Sequence, residues 1–158
     1  MERQIHLGAF VLGTGNHYAG WRVPGATGTF QGLDVLRTIA ETAERGKFDM
    51  LFCGDGFAAT PETHPSWQSR PDPVLQLSAV AAMTTHIGLG ATASTTYGEP
   101  FMVARAFATL DHLSGGRAAW NIVTTATKAA AENFGRVHPD HDKRYDIADE
   151  FYRVVSGL

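Results

Sequence analysis

A single cysteine, Cys53, stands in the whole chain, so no internal disulfide framework is available and a reducing cytoplasm suits it. It falls in the apolar run Met50-Leu51-Phe52-Cys53, where a buried, inert thiol is expected rather than a nucleophile. No apolar run approaches the roughly 20 residues that a membrane-spanning helix needs. The start, Met1-Glu2-Arg3-Gln4-Ile5-His6, lacks the apolar core of a signal peptide. A cytoplasmic protein with no membrane partner is therefore expected. Excess charge is missing as well: a net charge of −3 leaves no electrostatic footprint for nucleic acid.

Several sharp motifs are also absent. Gly13-Thr14-Gly15 follows an apolar stretch, but Tyr18 stands where the dinucleotide fingerprint needs its third glycine. Gly46-Lys47 has Glu41, not glycine, five residues upstream, so it is no phosphate loop. There is no Gly-x-Ser-x-Gly elbow and no arguable Ser–His–Asp set. His138-x-x-His141, flanked by Asp140 and Asp142, sits around a proline without the spacings of a zinc site, and no metal is expected.

What is present is an ordinary globular composition, 44% hydrophobic and 18% charged over 158 residues, enough for one core. Four apolar stretches alternate with four helical ones. The strands are expected at Ile5 to Leu12, Phe48 to Gly54, Ile87 to Ser94 and Ala118 to Thr124, with Ile5, Leu7, Ala9 and Val11 sharing a face. Between them, Leu33, Leu36, Ile39, Ala40 and Ala43 recur at helical spacing, with Gly46 as a stop. Asp72-Pro73 caps a second helix through about Thr85. Glu99-Pro100 opens a third that Gly115-Gly116 ends, and a fourth runs from about Asp142. This βαβαβαβα order predicts right-handed crossovers and a parallel sheet. Pattern alone allows a small open sheet or, since Val155 still continues the last helical repeat, one half of an eight-unit barrel.

In parallel α/β proteins, ligands bind at the C-terminal strand ends. Just past the strands come Gly13 to His17, Gly54-Asp55-Gly56, Thr92 to Tyr97 and Asn121 to Thr125, sets unusually rich in small and polar residues. Singly, each reads as a turn or cap, as Asp55 between two glycines does. Together they predict one rim with Asp55, Thr92 and Asn121 in a common cleft. His141 and Tyr145, four apart at a helix start, share a face where an anion would be favoured. A solvated helix start explains the same spacing.

A longer set of residues carries a resemblance. Ala93-Ser94-Thr95-Thr96-Tyr97-Gly98-Glu99-Pro100, the run Leu110-Asp111-His112-Leu113-Ser114-Gly115-Gly116-Arg117 and Trp120-Asn121 are similar to the nitrilotriacetate and dibenzothiophene-sulfone branch of the luciferase-like flavin-dependent monooxygenases. So are Ala131-Glu132-Asn133-Phe134-Gly135, His141-Asp142-Lys143-Arg144-Tyr145, Glu44-Arg45-Gly46-Lys47-Phe48-Asp49, and His17 with Trp21-Arg22. Glycine at position 54, where alanine is common, is a departure.

The resemblance implies an α/β fold: residues 1–158 form a single partial domain, the N-terminal half (four βα units) of a TIM-like (β/α)8 barrel. It further implies a two-component monooxygenase. Reduced FMN comes from a separate NAD(P)H-dependent flavin reductase, and with O2 it oxygenates a small organic substrate, the flavin carrying the hard chemistry. The family's FMN contacts correspond to Asp55, Thr92, His141 and Tyr145. Asn121 is added from its strand-end position and side-chain chemistry. His17 is the catalytic, substrate-side candidate. A deazaflavin-dependent oxidoreductase of the same superfamily and an inactive half-barrel remain open. A half-barrel would leave an unpaired edge, with Trp120 and Val123 uncovered on its barrel-facing side, so a homo-oligomer is expected.

Overall fold

The computed structural model describes residues 4–12, 15–17, 19–26, 32–59, 68 and 70–158. Along the chain come β1 (Gly8–Val11), a 3-10 turn (Gly20–Arg22), α1 (Leu33–Arg45), β2 (Met50–Cys53), α2 (Pro73–Ala81), β3 (Gly88–Ser94), α3 (Pro100–Ser114), β4 (Ala118–Val123), α4 (Ala130–Asn133) and α5 (His141–Gly157). The strands form one parallel sheet in the order β1-β2-β3-β4. The architecture is α/β, with the four βα units expected.

Local chemistry places the helix ends. The Asp72 carboxylate accepts the Leu75 N–H at 2.9 Å and Pro73 supplies a pre-set first residue, so α2 starts there. Pro100 opens α3 in the same way, and Gly115 closes it at φ +70°, a left-handed cap that favours glycine. α2 stops at Ala81, four residues short of the expected Thr85. The Thr84 hydroxyl there donates to the Val80 carbonyl, in a turn that no longer continues the helix.

The core lies between the sheet and its helices. Leu36, Ala40 and Ala43 of α1, Leu77 and Val80 of α2, and Leu110 of α3 pack on Leu51, Cys53, Leu89 and Ala91. Each fully buried leucine contributes about 1.5–3 kcal/mol. Burial also pushes the Cys53 thiol up to about 12, which leaves it an inert core residue.

Two expectations are corrected. Ile5 and Leu7 do not extend the buried face of β1: they lie before the strand and are exposed, Ile5 at 85%. Trp120 does not face the barrel side. Its indole N–H donates to the Ala93 carbonyl at 3.1 Å, and its ring meets Phe107 of α3 and Phe151 of α5. Side chains alternate along a strand, so Val123 and Trp120 lie on opposite faces.

The N-terminal edge of the sheet is held by charged groups. The Glu44 carboxylate accepts the backbone N–H groups of Thr85, His86 and Ile87, together with the Thr85 hydroxyl. Asp49 accepts the Leu7 N–H at 2.7 Å. The Arg117 guanidinium donates from all three nitrogens: Nε to the Ser114 carbonyl, Nη1 to the Thr84 hydroxyl and Ile87 carbonyl, Nη2 to the Ala81 and Thr84 carbonyls. This ties α2, α3 and β3 together at the end away from the cleft.

Candidate functional site

At the C-terminal strand ends lies an open cleft of about 820 Å³, within the usual span of ligand pockets. Its floor is aromatic. Phe10 and Phe52 are register partners on β1 and β2, with ring centroids 5.0 Å apart at 33°. Phe52 in turn pairs with Gly90, where an added Cβ would come within 2.7 Å of Met50 Sδ. Gly90 thus makes room for the Met50 side chain.

The wall is polar. Thr92 and Asn121 are register partners on β3 and β4, and the Asn121 amide donates to Thr92 Oγ1 at 3.0 Å. Beyond β4 the rim turns through Thr124 and Thr125. The Thr96 hydroxyl donates to the Thr124 carbonyl at 2.7 Å, and the Thr125 hydroxyl is hydrogen-bonded to Ser94 Oγ at 2.7 Å. These contacts hold Thr125 at φ +47°, unusual for a β-branched residue and the kind of strain that collects at ligand sites.

Asp55 stands past β2. Burial raises the proton affinity of its carboxyl, the nearby Asp72 adds to that, and the Gly56 N–H and Arg70 oppose it. Arg70 reaches back from the start of α2 to donate to the Asp55 carbonyl at 2.7 Å, and burial lowers its own proton affinity. Gly56 makes this approach possible: a Cβ there would meet Arg70 Nη1 at 2.9 Å.

Of the six residues singled out from the sequence, the structure brings Asp55, Thr92, Asn121 and Tyr145 to the cleft wall. His141 and His17 do not line it. His141 is one turn ahead of Tyr145 on α5, its ring 5.0 Å from the tyrosine ring and its Nδ1 paired with Asp142 at 2.8 Å. His17 is exposed in the loop after β1, where its Nδ1 accepts the Ala19 N–H. His138 and His141 make no common site, because His138 is engaged by Tyr97 and Arg144. Sequence reasoning missed Phe10, Phe52 and Arg70. Thr125 was named within the run Asn121 to Thr125 past the fourth strand, but without a role of its own.

The described lining contains no histidine, cysteine, serine or lysine. The cleft offers an apolar floor, hydroxyl and amide groups on one side and a half-buried carboxyl on another. That arrangement fits a flat aromatic group with a polar edge, bound and oriented by the protein while the group itself supplies the reactivity.

The luciferase-like monooxygenase family matches residues 13–158. The chain is 50% identical over 159 residues to the N-acetyl-S-(2-succino)cysteine monooxygenase of Bacillus subtilis (strain 168), covering 99% of this chain and 36% of that protein. It is 43% identical to nitrilotriacetate monooxygenase component A of Aminobacter aminovorans, covering 99% and 38%. Its fold superposes on the EDTA monooxygenase from Chelativorans sp. BNC1 with a TM-score of 0.92 at 35% identity, covering 99% and 38%. The chain thus spans less than two-fifths of the length of these relatives.

Proposed function

The chain belongs to the luciferase-like monooxygenases, and from that premise we propose that its cleft holds FMN for the oxygenation of a small organic substrate. The observation that carries this reading is the joint placement of Thr92, Asn121, Asp55 and Tyr145 around an aromatic floor, with no nucleophile–base pair among the described lining residues.

In this reading Phe10 and Phe52 pack against the ring system of the cofactor and keep water from one side of it. The Thr92 hydroxyl accepts from Asn121, so its own proton remains to be donated to a polar edge. Asp55, made more basic by burial, binds a donor on the same group. Tyr145, with His141 beside it at the start of α5, meets the phosphate. His17 serves the substrate side. Reduced FMN supplies the activation of O2, and a separate NAD(P)H-dependent flavin reductase delivers it. The enzyme is cytoplasmic. No described helix is long and apolar enough to cross a membrane.

The test is NADH consumption and O2 uptake with purified protein carrying this chain. Without reductase, NADH should be stable. With a flavin reductase, FMN and substrate, O2 uptake should produce an oxygenated product. Rapid FMN-dependent NADH oxidation by the protein alone would overturn the two-component reading. Absence of any FMN fluorescence quenching would overturn the flavin site.

A further inference from the structure

Behind the cleft wall is a partly buried chain of polar contacts that the proposed binding residues do not use. Tyr97, after β3, is 6% exposed, and its hydroxyl is 2.8 Å from His138 Nδ1. On the other side of the imidazole, Nε2 is 3.1 Å from Arg144 Nη1, which also donates to the Pro139 carbonyl at 2.9 Å. Arg144 is 8% exposed, and its Nε is buried without a partner.

A guanidinium has donors only. Nε2 of His138 must therefore accept, the ring proton must sit on Nδ1, and Nδ1–H must donate to the Tyr97 oxygen. The arginine thus fixes the tautomer, and the tyrosine hydroxyl, able to accept, completes it. The orphaned Nε points the same way. A buried donor without an acceptor is costly, so the guanidinium is oriented for its Nη1 pair even though one donor goes unmet.

This chain links two parts of the cleft. Tyr97 stacks on Phe134 at 4.5 Å, and Phe57, a cleft residue, meets both rings edge-on. At the other end Arg144 precedes Tyr145 in the first turns of α5, and its backbone N–H donates to the Asp140 carbonyl at 3.0 Å. We propose that His138, locked as the Nδ1–H tautomer between Tyr97 and Arg144, is a positioning residue that sets the first turns of α5 and so the place of Tyr145 on the cleft wall. Its effect on ligand binding rests on the flavin reading above, while the tautomer and the position of Tyr145 do not.

The test uses histidine labelled with nitrogen-15, followed by two substitutions. In the unmodified protein, nitrogen NMR should show His138 with protonated Nδ1 and unprotonated Nε2. The opposite tautomer, or a mixture, would overturn the proposal. His138→Gln keeps an acceptor where Nε2 stands, and His138→Asn keeps only a donor where Nδ1 stands. The Tyr145 ring resonances should shift in the Asn variant and stay in place in the Gln variant. FMN affinity should fall about tenfold in the Asn variant, the scale of one lost hydrogen bond to a charged group, and change less than about twofold in the Gln variant. Equal behaviour of the two variants would overturn the positioning role. If the unmodified protein binds no FMN, the flavin reading fails by itself and the Tyr145 resonances decide this one.

Discussion

Asn121 and Thr92 face each other across the β3–β4 ladder as register partners, and the amide of one holds the hydroxyl of the other at 3.0 Å. The pair should act as a unit in binding. Asn121→Ala and Thr92→Val should each weaken FMN binding about five- to tenfold, the scale of one hydrogen bond, and the double variant should lose little more than either single one. Fluorescence titration checks this, and fully additive losses would count against the pair.

Thr125 supplies the second prediction. Replacing a β-branched residue at φ +47° with glycine removes backbone strain of about 1–2 kcal/mol. It also removes a hydrogen bond to Ser94 of similar size. Thr125→Gly should therefore melt within a few degrees of the unmodified chain while binding FMN more weakly. A large drop in melting temperature would show that no strain is stored there.

Glu44 predicts an acid limit. Burial raises its carboxyl, but the N–H groups of Ile87, His86 and Thr85 outweigh that and hold it at about 2, below the ordinary glutamate value of 4.5. A depressed folded value gives stability that is fully present above pH 4.5 and lost as pH falls toward 2. Glu44→Gln should cost about 1 kcal/mol near neutrality, kept small because solvent reaches the carboxylate. The gap between the two proteins should close as pH falls through that window. Denaturant melts at several pH values measure it, and a gap that stays constant to pH 2 would refute the assignment.

β1 and β4 stand at the two edges of the sheet. Phe10 on the first is 45% exposed and Ile122 on the second 42%. Unpaired parallel edges with apolar side chains invite association. Light scattering of the purified chain should report a dimer or larger species, and a monomer at tens of micromolar would refute this.

The parts of the fold visible in the sequence are those encoded locally. Glu99-Pro100 and Gly115 mark α3 because proline and a left-handed glycine act within one turn. Strand faces were harder to read. β4, Ala-Ala-Trp-Asn-Ile-Val, has no clean alternation of apolar and polar residues, so Trp120 was assigned to the wrong face. In the first stretch the alternation of Ile5 and Leu7 is real but lies outside the ladder. Thr92 and Asn121 were legible at the cleft because strand ends predict where a ligand sits, whereas Tyr145 was marked by the resemblance, its spacing alone fitting a solvated helix start. Arg70 was not, since its role depends on Gly56 leaving room for a side chain from 14 positions further on. His141 shows the limit of spacing: it shares a helix face with Tyr145, yet one turn is enough to carry it off the wall.

The clamp made by Arg117 has a consequence for how such a protein can change. Its five contacts, with those of Glu44, fasten the loops at the end of the sheet remote from the cleft. The opposite end is joined mainly by neutral hydroxyls and amides: Thr92 with Asn121, Thr96 with Thr124, Ser94 with Thr125. A substitution at the hydroxyl end perturbs one contact of modest size and leaves the ionic end intact. Changes in the loops around the cleft can therefore alter its shape and chemistry without unfastening the frame that aligns the strands.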